Sequence, residues 1–163
     1  MKYERFEDVP VWKDGIRLVV EVFRLTEDKR FRFKGDIANQ LQRAALSVSN
    51  NIAEGFERGT TQELITFLYY SRGSAGEVRS ILAVLEQMPV FDDLKSQISN
   101  LKSSVEAISR QIRGWANSMQ NTAIQGQRYL NEKSKQSFER EKGRKEFERS
   151  LKKYIRPEEN SQN

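Results

Sequence analysis

Apolar residues along the chain recur at intervals of three and four, and nowhere alternate over enough positions to propose a strand. The most regular stretch is Leu94, Ile98, Leu101, Val105, Ile108, Ile112, Trp115 and Met119, a strict four-three alternation that predicts a helix with a coiled-coil-type seam. A second helix is predicted from about Thr61 to Gln87, with Leu64, Phe67, Leu68, Ser71, Ala75, Val78, Leu82 and Leu85 on one stripe and Thr60 or Thr61 as N-cap. A third starts near Asp36, whose side chain can cap the first-turn amides, and puts Ile37, Leu41, Ala44, Ala45, Val48 and Ile52 on one face. Gly55 and Gly59 are expected to mark its end, and Ala44, Ala45, Ser47 and Ser49 leave room for a close neighbour. Between Pro10 and Thr26 the pattern differs: Trp12, Ile16, Val19, Val20 and Phe23 form one stripe, while Val11, Leu18, Val22 and Leu25 form another. A bundle helix needs one inward stripe, so the second set, Val11, Leu18, Val22 and Leu25, is assigned to an interface with another copy of the chain.

Prolines at 10, 89 and 157 fall where helices can start or stop, and short links at Asp28 to Gly35, Glu57 to Thr60 and Met88 to Phe91 suit antiparallel neighbours. The expected fold is therefore all-α: an antiparallel up-down-up-down four-helix bundle over residues 1–119, followed by a charged C-terminal extension over 120–163, partly helical. Residues 120–127 read as a linker. Beyond them, pairs such as Glu141 with Lys145 and Glu148 with Lys152 are spaced to support a fifth helix with a thin apolar stripe that orders on a partner. Gly76, inside the Thr61 to Gln87 helix, is expected to weaken it by about 1 kcal/mol relative to alanine, and close packing of a neighbouring helix is one reason for a glycine there.

Composition narrows the chemistry. The 163 residues contain neither cysteine nor histidine, which removes thiolate metal sites, disulfides and imidazole acid-base catalysis. No run of apolar residues is long enough to span a membrane, and the N-terminus lacks a signal-peptide pattern, so a cytoplasmic protein without a membrane partner is expected. The net charge is +5, and residues 120–163 supply most of it, with 11 basic against 7 acidic groups. Such a segment suggests an anionic partner, or a solvated face.

Two motifs carry a resemblance: QLQRAALSVSNNIAEGFERG over Gln40 to Gly59, and YYSRGSAGEVRSIL over Tyr69 to Leu82. With Phe6, Val11 and Trp12 before them, and with Gln40, Arg43 and Ala44, Asn51 to Gly55, Gly73-Ser74 and Glu77 as the matching positions, the chain resembles the bacterial four-helix-bundle family encoded in intervening sequences of 23S ribosomal RNA genes. The accessory variability determinants of diversity-generating retroelements are similar. The resemblance covers roughly Tyr3 to Met119. It implies a barrel-like homopentamer whose positive surface binds RNA or DNA and, in the retroelement members, a reverse transcriptase. It implies nothing about the tail.

Candidate nucleic-acid contacts in the bundle are Arg17 and Arg24, Arg72 and Arg79, each pair seven residues apart, with Lys102, Arg110 and Arg113 along one side of the last helix. Phosphate backbones favour such ridges, and so does salt bridging to Glu21, Glu77, Glu86 and Glu106. In the tail, Arg128, Lys133, Lys135, Arg140, Lys142, Arg144 and Lys145 interleave with aromatic residues, as in arginine-rich helices that order on RNA and in plain solvated helices. Arg43, Asn51, Glu54, Ser71, Ser74 and Glu77 lie near the inward stripes of two helices. Without a base or a cofactor to activate them, they read as a structural polar network. The expectation is a non-catalytic, oligomeric nucleic-acid-binding accessory protein that needs no cofactor. One alternative is a protein-interaction scaffold; another is a nuclease using Glu54 and Glu77 around magnesium.

Overall fold

The computed structural model describes residues 3–33, 36–120, 140 and 143–149, and all regular structure among them is helical. Four long helices form: α1 (Pro10–Thr26), α2 (Ile37–Glu57), α3 (Thr61–Glu86) and α4 (Lys95–Gln120). Tight 3-10 turns at Phe6–Asp8, Lys29–Phe33 and Pro89–Leu94 precede or link them. The chain divides into two units, Met1–Arg128 and Tyr129–Asn163. In the second, residues 143–149 are helical, with Arg144 Nε 3.7 Å from Glu148 Oε1 one turn on. The expected linker at 120–127 and the pairs Glu141–Lys145 and Glu148–Lys152 involve residues outside those described, apart from Gln120, which ends α4.

Helices α1, α2 and α3 start where the sequence predicts, whereas α4 starts at Lys95, after the 3-10 turn that takes up Pro89–Leu94. Pro10 opens α1, its fixed φ and missing N–H fitting a first turn whose amides have no intrahelical acceptor. Thr60 caps α3: its Oγ1 accepts from the Glu63 amide at 3.2 Å and its hydroxyl donates to the Glu63 carboxylate at 2.6 Å, a reciprocal pair at the helix N-terminus. Thr61, the other candidate, instead buries its hydroxyl without a hydrogen-bond partner. Asp36 does not cap the amides of α2. Its carboxylate accepts from the Asn39 amide group and from Arg43, and these two contacts, Asn39 foremost, hold it below the usual carboxylate pKa.

One core joins the four helices. Leu41, Val48 and Ile52 of α2, Leu64, Leu68, Val78, Leu82 and Leu85 of α3, and Ile98, Val105, Ile108 and Ile112 of α4 are all buried in it. In packing, α1 sits on α2 and α4, and α3 sits on α2 and α4. Cross-helix contacts run in opposite numerical order. Thr26 pairs with Gln42 and Gly15 meets Ser49; Ser71 pairs with Val48 and Gly55 meets Phe67; Tyr69 pairs with Gln120 and Lys102 with Glu86.

Three expectations are overturned. Val11, Leu18, Val22 and Leu25, assigned to an oligomer interface, are the inward stripe of α1, none more than 4% exposed. The reason is Gly15. It completes a four-three-four-three seam through Val11, Leu18, Val22 and Leu25, and a Cβ there would lie 3.3 Å from Ser49 Cβ, so this is the side on which α2 approaches. The other stripe, with Ile16, Val20 and Phe23, faces outward. Gly55 does not end α2. It is buried within the helix, because a Cβ there would fall 2.5 Å from Phe67 Cβ of α3, whereas Gly59, at φ 81°, makes the turn. Among the described residues Gly76 packs against nothing: a Cβ would meet no atom within 4 Å.

The two poles are closed differently. At one, Arg30 in the α1–α2 link donates to Asp28 at 2.7 and 2.8 Å, to the Val90 carbonyl at 2.8 Å and to Asp93, and its guanidinium lies 5.5 Å over the Phe91 ring. Phe31 stacks on buried Phe91 at 4.9 Å. Hydrogen bonds from Arg30 hold the Asp28 carboxyl down at about 2 and lower that of Asp93. At the other pole the N-terminal segment folds over the helices, with Phe6 on Trp12 at 5.1 Å, Tyr3 edge-on to Trp115 at 6.4 Å, and Val9 buried.

Candidate nucleic-acid interface

Which basic residues are available to a partner depends on which are already neutralised. Arg17 donates to Asp14, Arg24 to Glu21 at 2.6 Å, Lys102 to Glu86 and Arg110 to Glu106 at 2.8 Å. These are surface pairs within or between adjacent helices, worth little to stability and easily exchanged, yet each cancels the net charge a phosphate would meet. Arg72, Arg79 and Arg113 have no ionic partner among the described residues. The bonds from Gln120 to Tyr69 and from Lys102 to Glu86 set the antiparallel register of α3 and α4. That register places Arg113 between Arg72 and Arg79 along the same seam. The predicted ridge on α3 and part of the one on α4 thus converge, while Arg17 and Arg24 lie on α1, across the core.

An open cleft of about 270 Å³ lies along the α1–α4 side, lined by Asp14, Arg17, Leu18, Glu21, Leu101, Ser104, Ala107, Ile108 and Gln111. Partial burial pushes the Asp14 carboxyl up, but hydrogen bonds from Gln111, at 2.8 Å, and Arg17 outweigh it and leave the pKa lowered. Its charged groups are mutually compensated, and nothing in it selects an anion. Arg140, Arg144 and Lys145 fall on described, exposed residues of the C-terminal unit. Arg128, Lys133, Lys135 and Lys142 lie outside the described residues.

The polar network is smaller than expected and differently composed. Asn51 donates to the Ser47 carbonyl at 2.7 Å and to its hydroxyl at 2.9 Å, and Ser74 of α3 donates to that hydroxyl at 2.9 Å. Ser71, fully buried, donates to the Val48 carbonyl at 2.6 Å. Ser47 is the hub, and its spacing of four from Asn51 is the sequence signal for it. Arg43, Glu54 and Glu77 do not join the network. Arg43 binds Asp36, Glu54 accepts from Arg58 at 2.6 Å, and Glu77 is exposed without an ionic partner among the described residues. Their outward positions on the helices explain this.

The register of α2 and α3 does not bring Glu54 and Glu77 together around one ion. Ser71 opposite Val48 and Ser74 opposite Ser47 fix the register of α2 and α3. Glu54 then lies opposite residue 66 and Glu77 opposite residue 43, some ~16 Å apart along the helix axes at 1.5 Å per residue. Among the described residues no cluster of carboxylates is placed to hold a metal ion, and no helix is long and apolar enough to cross a membrane.

Arg30 is the functional-looking residue that sequence reading missed. Its four contacts make it a structural tie, and its partner Asp93 lies 63 positions away, beyond any local pattern. Comparison with protein families matches residues 7–114 to the model described as 23S rRNA-intervening sequence protein, a span from the first 3-10 turn to the last third of α4. No curated protein matches the chain.

Proposed function

Because the chain belongs to the 23S rRNA-intervening sequence protein family, we propose that it is a non-catalytic, homo-oligomeric accessory protein that binds nucleic acid through the α3–α4 seam. The paired contacts between successive helices support an antiparallel up-down-up-down four-helix bundle as its body, with the basic C-terminal extension as a second contact. Arg72, Arg79 and Arg113 carry the reading. Three guanidinium groups without ionic partners among the described residues, lined along one seam, suit a phosphate backbone, which takes bidentate arginine contacts without regard to sequence. Repeated around an oligomer, five copies by the resemblance, the seam becomes an extended positive surface. A structured RNA in the cytosol, either the RNA of an interrupted ribosomal gene or that of a reverse transcriptase ribonucleoprotein, is the partner class this favours.

Titration of the full chain against a structured RNA at increasing salt tests it. Binding should weaken steeply with salt, and Arg72→Gln/Arg79→Gln/Arg113→Gln should lower the slope of log K against log salt by about 2–3 per protomer. The triple variant binding with an unchanged slope would remove the seam from the interface. The competing scaffold reading draws on the outward Ile16, Val20 and Phe23, and would be favoured if the wild-type chain bound no nucleic acid even at low salt.

A further inference from the structure

Two helix faces are unlike the rest of the bundle surface. On α1, Ile16, Val20 and Phe23 are 38, 42 and 39% exposed and lie one above another on a single stripe. The register of α1 and α2 brings exposed Leu46 alongside, extending the apolar ridge across the seam. On α3, the outward side holds Tyr69, Tyr70, Gly73, Gly76, Ser80 and Val84, with Glu77 as its one charge between Tyr69 and Val84. Tyr70 and Val84 are 57 and 52% exposed. Gly73 and Gly76 have ordinary helical φ, and a Cβ on either would meet nothing within 4 Å. Glycine weakens a helix interior, and among the described residues no contact or dihedral calls for it at these two positions.

We propose that these faces dock on each other between copies, the α1 ridge of one chain seating in the notch at Gly73 and Gly76 on α3 of the next. This rests on the homo-oligomeric reading above and specifies its contact. Shape and charge both match. The ridge is bulky where the α3 face lacks side chains, and the tyrosines and Val84 supply apolar walls. Lys13 flanks the ridge one turn before Ile16, Glu77 flanks the notch, and neither has an ionic partner among the described residues. Since α1 and α3 sit across the core from each other, the contact is heterologous: each copy offers a ridge on one side and a notch on the other, and successive copies add head to tail until the rotation closes a ring.

Sedimentation velocity on the full chain, with circular dichroism as the folding control, tests this. Phe23→Lys removes the aromatic anchor at one end of the ridge and Gly76→Gln fills the notch, and each should weaken association by about thirtyfold or more. Gly76→Gln should do so while its helix content and melting temperature stay level or rise, since the added side chain meets nothing among the described residues of its own chain. Mixing the two variants distinguishes the geometry. The Phe23→Lys chain keeps an intact notch and the Gly76→Gln chain an intact ridge, so the mixture should form a one-to-one dimer that neither makes alone. Lys13→Glu and Glu77→Lys should each weaken assembly about threefold, and the double swap should restore it. If Gly76→Gln assembles like the wild type, or the mixture stays monomeric, the proposed contact is wrong even though the chain is oligomeric. A wild-type chain that is monomeric at every concentration would overturn the oligomeric reading as well.

Discussion

At Gly55 the spacing of α2 and α3 comes down to one missing atom. A Cβ would stand 2.5 Å from Phe67 Cβ and 3.4 Å from the Leu64 backbone, and because Phe67 Cβ is tied to its own main chain the clash cannot be relieved by a rotamer change. Gly55→Ala should therefore destabilise the fold by about 1–3 kcal/mol in a denaturant melt, despite alanine's better helix propensity. Gly73→Ala, in open space, should stabilise the isolated fold by about 0.5–1 kcal/mol. The two substitutions look alike in sequence, and only the neighbouring helix separates them. Gly15 was opaque for a related reason: counted as a non-apolar residue it interrupts a stripe, whereas in the packed chain it is the point where that stripe comes closest to α2. The seams of α3 and α4, built from large apolar residues at regular spacing, needed no such context and were legible directly.

Helix ends and links were legible only where the stabilising group lies within a turn of the end it serves. Thr60 and Pro10 act locally. Asp36 also sits at the right place, but Asn39 and Arg43 occupy the carboxylate that would have capped the amides. Arg30 draws on residues of two links and could not be anticipated from either alone. Its effect has a definite pH signature. Hydrogen bonding to Arg30 lowers the Asp28 pKa from 3.8 in the unfolded chain to about 2. The unfolded state therefore binds the proton more readily, and the stabilisation is complete above about pH 4 and is lost as pH falls toward 2. Asp28→Asn should flatten that part of an acid-unfolding profile and leave the neutral and alkaline parts unchanged in shape.

Nucleic-acid binding and assembly are two statements about one surface if the α1 ridge seats against α3. The arginine seam lies along the α4 side of α3, beside the notch, so docking of a neighbour brings successive seams into a repeating series. Phe23→Lys then offers a discriminating outcome: it adds a positive charge, which by itself would strengthen RNA binding, yet by dispersing the assembly it should reduce apparent affinity for a long RNA by about tenfold or more in a filter-binding assay. Stronger binding by that variant would mean that the seams act singly. The candidate site was partly legible for a similar reason of scale. Arginines seven apart on one helix are visible in sequence, but which keep their charge available depends on carboxylates of the same or the neighbouring helix, as Lys102 with Glu86 shows.

The knot of Arg30 with Asp28, Asp93 and Val90 joins the turn after α1 to the turn before α4, while at the opposite pole α2 and α3 are connected by a turn at Gly59. The four helices thus pair as two hairpins, joined at their tips by the contacts of Arg30 and at their bases by the Gly59 turn, by Gly55 packed on Phe67 and by Tyr3 against Trp115. The peptide at Gly59 serves proximity, and the recognition is written elsewhere. A chain cut at Gly59 is therefore expected to reassemble from its two separately made halves, with Arg30 meeting Asp93 again, and size-exclusion chromatography of the mixed halves checks it.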